Sequence, residues 1–157
     1  MSDHAAFAAK AALAVHLRAA GHDVLDLGTD GTASVDYPDF GAKGGKAVAA
    51  GLGERGLFLC GSGIGISISA NKVPGIRAAL VYDEWSARMS RRHNDANVAC
   101  FGARVHADAR IAEMADVFLA TAFEGGRHAA RVAKIAALEA GAGRGADGGA
   151  KAGGGCC

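Results

Sequence analysis

The sequence predicts a single doubly wound, three-layer α/β/α domain built on a parallel, Rossmann-like sheet. Three observations carry that prediction. Helical and strand-like segments alternate along the chain. The strand-like segments are short and wholly apolar, as in Leu57-Phe58-Leu59-Cys60, which is the pattern of strands buried on both faces. Glycines cluster where strands give way to helices. Such alternation implies βαβ units with helices on both faces of the sheet.

In chain order, residues 5–20 are Ala-rich, carry Leu13 and Leu17, and stop at Gly21, a helix ended by a glycine cap. His22 to Leu27 alternates polar and apolar residues and reads as a short strand. Gly28 to Asp39 holds Gly, Asp, Thr and Pro38 and reads as a loop. Residues 40–53 form a weaker helix, interrupted by Gly44-Gly45. The strand 57–60 leads through glycines into a helix from Ile64 to Lys72, which stops near Pro74. Ile76 to Tyr82 is a strand, Asp83 to Asn94 a helix, and Asn97 to Phe101 a strand closed by Gly102. Residues 108–122 give the clearest helix, with Ile111, Met114, Ala115, Phe118 and Leu119 on one stripe. A last helix spans about Arg127 to Glu139, so the domain covers 1–139, and the Gly/Ala-rich residues 140–157 are expected to be disordered.

Composition narrows the function. The 157 residues form one domain with a sizeable core, 50% of them being apolar. A formal charge of +1 with no basic run leaves no footprint for nucleic acid and no polybasic membrane anchor. No apolar run is long enough to span a bilayer, and the first residues lack the positive region of a secretory signal. The four cysteines show neither a staple pattern nor a C-x-x-C spacing, which fits a reducing, cytoplasmic setting.

In parallel sheets, ligands bind beyond the carboxyl ends of the strands. After the strand ending at Cys60 comes Gly61-Ser62-Gly63-Ile64-Gly65 and then a helix. Such a loop can aim successive backbone N–H groups at a phosphate, a carboxylate or a transient oxyanion. Three glycines also fit a plain tight turn. Ile66 breaks the dinucleotide pattern G-x-G-x-x-G, and no phosphate-loop lysine follows. Cys60, at the mouth of the loop, is a candidate base or nucleophile, or a small buried hydrophobe like Cys100. His93 can shuttle protons and Asn94 can donate to an oxyanion, although a histidine at a helix end also complements the dipole. Arg127 and Arg131 share a helix face and suit a phosphate, or form an exposed basic face. Asp3-His4 precedes the first helix. His16, His22, His106 and His128 have no evident partner, and no metal site or cofactor motif is apparent.

Together these segments resemble the B-type ribose-5-phosphate isomerases and their galactose-6-phosphate isomerase relatives. The matching text is Ser2-Asp3-His4-Ala5-Ala6-Phe7, Asp36-Tyr37-Pro38, Cys60-Gly61-Ser62-Gly63-Ile64-Gly65-Ile66-Ser67 and Ala70-Asn71-Lys72. It continues through Gly75-Ile76-Arg77-Ala78, Ser90-Arg91-Arg92-His93-Asn94-Asp95, Asn97, Phe101-Gly102-Ala103-Arg104 and Phe123-Glu124-Gly125-Gly126-Arg127-His128. The resemblance implies metal-free, cofactor-free aldose–ketose isomerisation through a cis-enediolate, ribose 5-phosphate being the first substrate expected. Galactose 6-phosphate, a tetrose phosphate, or phosphosugar binding without turnover are the alternatives. Cys60 would be the base, and Ser62 with the N–H groups of Gly61, Gly63 and Gly65 would cradle the enediolate oxygen. His93 would open the furanose ring, with Asn94 supporting the oxyanion and Asp3 the sugar hydroxyls. His4, Arg127, Arg131 and Arg104 would grip the phosphate, and Tyr37 would line the pocket. The resemblance also implies dimers or dimer pairs with a shared site, His93, Asn94 and Arg104 coming from the neighbouring subunit. Two departures stand out. Ser62 replaces the threonine common in the Cys-containing branch, and Met1 stands where the family's five-stranded sheet has a short first strand. Its loss would leave backbone groups of neighbouring strands unpaired, at ~1–3 kcal/mol each.

Overall fold

The computed structural model describes residues 1–142. Its parallel sheet has the order β1 (Gly56–Cys60), β3 (Val98–Gly102), β2 (Ala78–Leu80). Around it lie α1 (Phe7–Ala19), α2 (Tyr37–Ala49), α3 (Ile64–Ala70), α4 (Glu84–Asn94), α5 (Asp108–Ala120) and α6 (Arg127–Ala142), and a 3-10 turn at His4–Ala6 precedes α1. Side-chain alternation along the strands divides the core in two. Leu59, Ala99 and Phe101 pack with Leu13 and Leu17 of α1, Ala87 of α4, and Ile111, Met114 and Phe118 of α5. Phe58, Cys60, Val98 and Cys100 pack on the other face, with Ile66 and Ala70 of α3. The three layers expected from the sequence are therefore present, and the stripe Ile111, Met114, Ala115 and Phe118 is the buried face of α5.

Two strand expectations are corrected. The segment 22–27 runs outside any ladder, and Leu25 is exposed. A strand exists only beside a partner, and here the partner is short. Where the resemblance implies a missing first strand, Met1–Asp3 instead lie beside β1: Leu59 N–H donates to the Met1 carbonyl (2.9 Å), Asp3 N–H to the Leu59 carbonyl (3.3 Å), and Thr29 N–H to the Ser2 carbonyl (3.1 Å). Among the described residues the sheet is thus three strands plus one bridge. Below Met1 a cavity of about 540 Å³ opens between the 22–27 segment and β1, bordered by Leu13, Leu17, Val24 and Leu57. The Met1 ammonium donates to the Leu57 carbonyl (3.1 Å) at its rim, and burial lowers its pKa to about 6. Nearby, burial pushes Asp26 up, yet the Lys10 ammonium at 2.6 Å and the Gly28 N–H outweigh it and hold the carboxyl below its usual range.

Helix boundaries shift modestly. Pro38 sits in the first turn of α2, where its missing N–H costs nothing, so this helix starts at Tyr37 rather than 40. Helix α4 opens with a capping box, Ser86 N–H donating to Asp83 Oδ1 (2.7 Å) and Asp83 N–H to Ser86 Oγ (3.1 Å). Helix α6 continues to Ala142, past the expected boundary at 139, and the remainder of the expected tail lies outside the described residues. No helix among the described residues is long and apolar enough to cross a membrane.

Candidate active site

The predicted residues fall into two groups. The first lies at the carboxyl end of β1. Cys60 is buried at the strand's last position, and Gly63 N–H donates to its Sγ (3.1 Å). That donor exists because Gly63 adopts φ +79°, a left-handed conformation that turns the loop back onto the strand. A Cβ there would lie 2.9 Å from the Phe101 carbonyl carbon and 2.7 Å from Leu80. Ser62 Oγ accepts from Ile64 N–H (3.3 Å) on the exposed side of the loop. The Tyr37 ring covers Gly65 so closely that a Cβ would meet it at 2.5 Å, so Tyr37 walls the loop as expected. Asp3, held next to β1 by its N–H bond to Leu59, is buried and accepts Ala5 N–H on Oδ1 (3.0 Å). His4 Nδ1 accepts Val35 N–H (3.1 Å). Arg104 belongs here too: its N–H donates to the Gly61 carbonyl (3.0 Å), and its side chain runs alongside Gly61.

The second group lies at the other end of the sheet. Helix α4 follows β2 and returns antiparallel to the strands, so its last residues, His93 and Asn94, sit near the start of β3. Asp95 adopts φ +45° there, and its carboxylate ties Arg91 (2.8 Å) to Arg77 (3.1 Å), fixing the turn that carries both residues. Glu124 N–H donates to the Arg92 carbonyl (3.0 Å), which docks the start of α6 on the end of α4. Glu124 pairs with Arg92 (3.3 Å) and lies 3.6 Å from His93 Nε2. The His93 and His128 rings stack, with centroids 4.2 Å apart and planes 4° from parallel. Arg127 Nε donates to His128 Nε2 (3.4 Å).

Strands rise about 3.3 Å per residue, so the length of β1 alone separates the two groups by roughly 13 Å within one chain. Within one chain the arginines divide between the two groups. Arg104 accompanies the Cys60 loop rather than His93, whereas Arg127 and Arg131 accompany His93 rather than His4. Two histidines thought to lack partners have them: His16 meets Asp116 (2.9 Å), and His128 meets His93. Glu124 and Arg92 had no role assigned from the sequence. The motif containing Glu124 was visible, but its contact with α4 was not.

His93, Glu124 and His128 offer three potential metal-ligand atoms within 4.8 Å of one another. Parallel rings aim their nitrogen lone pairs along parallel planes rather than at a common point. Arg92 and Arg127 already hold Glu124 and His128, and this surplus of cations favours an anion.

Residues 1–135 match the Ribose/Galactose Isomerase family. The ribose-5-phosphate isomerase B of Escherichia coli is 42% identical over 137 residues, covering 87% of this chain and 92% of that one. A solved Clostridium thermocellum ribose-5-phosphate isomerase B superposes with a TM-score of 0.88 at 49% identity, covering 90% of this chain and 95% of that one. The Mycoplasma genitalium enzyme, solved with bound ribulose-5-phosphate, gives 0.85 at 38% identity, covering 88% and 93%.

Proposed function

The chain belongs to the ribose/galactose isomerase family, and on that premise we propose that it interconverts ribose 5-phosphate and ribulose 5-phosphate, with Cys60 as the base. The observation that carries this reading is a sulfur at the end of a buried strand, facing a backbone N–H, in a loop whose glycines let Tyr37, Arg104 and the β3 backbone close in around it. The Gly63 N–H stabilises negative charge on sulfur. The Cys60 thiolate takes the proton from carbon 2 of the open-chain aldose, and the electron pair moves into an enediolate whose charge rests on oxygen 1. A proton passes from oxygen 2 to oxygen 1, and the thiol then returns its proton to carbon 1. No electrons leave the substrate, so neither cofactor nor redox partner is required. Ser62 and the N–H groups of Gly61 and Gly65 would hold the enediolate oxygen, as preorganised donors that cost no reorganisation during reaction.

His93 supplies the acid for ring opening, Asn94 steadies the oxyanion, Asp3 holds sugar hydroxyls, and His4, Arg104, Arg127 and Arg131 hold the phosphate. One sugar phosphate cannot reach both ends of one chain. A second copy, set antiparallel by a twofold axis, would bring its His93 end to the Cys60 end of the first and complete two sites per dimer. The exposed apolar residues Ile64, Ile68, Tyr82, Trp85 and Val105 support this, since they flank the Cys60 end of the fold and suit burial between copies. A reducing cytosol, which keeps Cys60 as a thiol, belongs to the same reading.

The test is isomerisation of ribose 5-phosphate in EDTA, with Cys60→Ala alongside. Turnover that persists in EDTA and vanishes in the variant supports metal-free catalysis through Cys60. No turnover by the wild type would sink the proposal.

A further inference from the structure

The stacked pair His93–His128 has one proton to share. Two imidazolium rings at 4.2 Å, face to face, would repel strongly, so the doubly protonated pair is disfavoured. The neighbours break the symmetry. His128 is buried, and its Nε2 accepts from Arg127 Nε, which requires a lone pair on that nitrogen. His93 is more exposed, and its Nε2 faces the Glu124 carboxylate at 3.6 Å. The charged groups around the pair are Arg92 on α4, Glu124 on the segment before α6, and Arg127 and Arg131 on α6. Of these groups, only Glu124 favours added positive charge, and it stands on the His93 side.

We propose that His128 is a positioning residue: stacked and neutral, it holds the face of the His93 ring and, with Glu124, keeps the pair's proton on His93 for opening the furanose ring. This rests on the function proposed above. Burial, then His93, then Arg127 lower the His128 pKa, and Glu124 opposes them only in part, which agrees with a neutral ring. In the step served, the bond between carbon 1 and the ring oxygen breaks, and the ring oxygen takes the His93 proton. The anomeric hydroxyl gives its proton to water, and its electron pair forms the carbonyl. His128 touches neither the breaking bond nor the transferred proton.

The experiment compares wild type, His128→Asn, which removes the stacked ring, and His128→Phe, which keeps an aromatic face without a second titrating group. Imidazole carbon NMR titrations are recorded for each folded protein, with Glu124→Gln as a fourth sample. Two reactions are then followed. Isomerisation of ribose 5-phosphate needs ring opening. Deuterium exchange from solvent into carbon 1 of ribulose 5-phosphate does not, because this ketose carries its phosphate on the only oxygen that could close a five-membered ring. Expected for His128→Asn are an isomerisation rate down about 10-fold or more, part of the ~10²–10⁴ that general acid–base catalysis supplies, and exchange within about twofold of wild type. His128→Phe should recover most of the isomerisation. In the wild type the pair's first proton should be found on His93, and Glu124→Gln should let part of it move to His128. Equal losses in both reactions, an unchanged isomerisation profile, or protonation of His128 first would overturn the proposal. A wild type without isomerase activity would instead remove the proposed function, and the titrations would still report where the proton sits.

Discussion

The two ends of the sheet, which the proposed function joins in one site, are built by different means. At the Cys60 end the loop is shaped by backbone: a left-handed glycine turns its N–H onto a sulfur buried at the end of a strand. At the His93 end they are charged side chains on two helix ends, held by ion pairs and a ring stack. A backbone-built site is rigid because moving it would disturb the sheet. A side-chain-built site can be tuned by its neighbours but depends on them for position. The difference would suit the proposed chemistry, in which an enediolate needs donors fixed in advance and ring opening needs a proton held on the correct nitrogen.

The strongest challenge to this contrast is Cys60→Ala. It should cut kcat by roughly 10²–10⁴ while leaving the fold intact, because the change removes one sulfur and no backbone donor. Steady-state kinetics with a circular dichroism control would check it, and a loss below tenfold would deny Cys60 its role. Next, Gly63→Ala tests whether the first end is set by backbone. An alanine at φ +79° against the Phe101 carbonyl carbon should destabilise by about 1–3 kcal/mol and also impair turnover, visible in urea unfolding and in kcat. Asp95→Asn probes the other end. It removes the counter-charge of the buried Arg91 and should cost about 1–3 kcal/mol, with the His93 NMR signal shifted and the Cys60 loop undisturbed.

A further expectation concerns pH. The Met1 ammonium has a folded pKa of about 6 against an ordinary value of 8.0, so the unfolded chain binds the proton more readily. The penalty is absent above pH 8, grows as pH falls towards 6, and is complete below that. At 1.36 kcal/mol per unit it reaches about 2–3 kcal/mol. Urea midpoints should fall over this window, and amino-terminal acetylation should remove that part of the slope. The smallest effect is expected at His16→Ala, where an exposed pair with Asp116 should contribute about 0.2–1 kcal/mol.

The Cys60 end was readable in the sequence because its determinants are contiguous: an apolar run, three spaced glycines, and the helix that follows. The apolar stripe of α5 was readable for the same reason. The His93–His128 stack was not, since it joins two helices far apart in the chain, and nothing local marks a ring-to-ring contact. His22 to Leu27 shows the reverse failure. Its alternation is a true strand pattern, but a strand needs a neighbour, and Met1–Asp3 supplies a single bridge. The place of Arg104 was not readable either. Arg104 lies beside Gly61 because β3 runs next to β1, a register that spacing alone does not reveal.

The most direct test of two half-sites is complementation between inactive variants. Cys60→Ala and His93→Asn, each inactive alone, are mixed under conditions that exchange subunits. Half of the dimers become hybrids with one intact site of two, so activity should return to about one quarter of wild type. Cys60→Ala mixed with Arg127→Ala should recover in the same way, while Cys60→Ala mixed with Arg104→Ala, altered at the same end, should not. Verified hybrids that stay inactive in the first two mixtures would contradict a site divided between opposite ends of two chains.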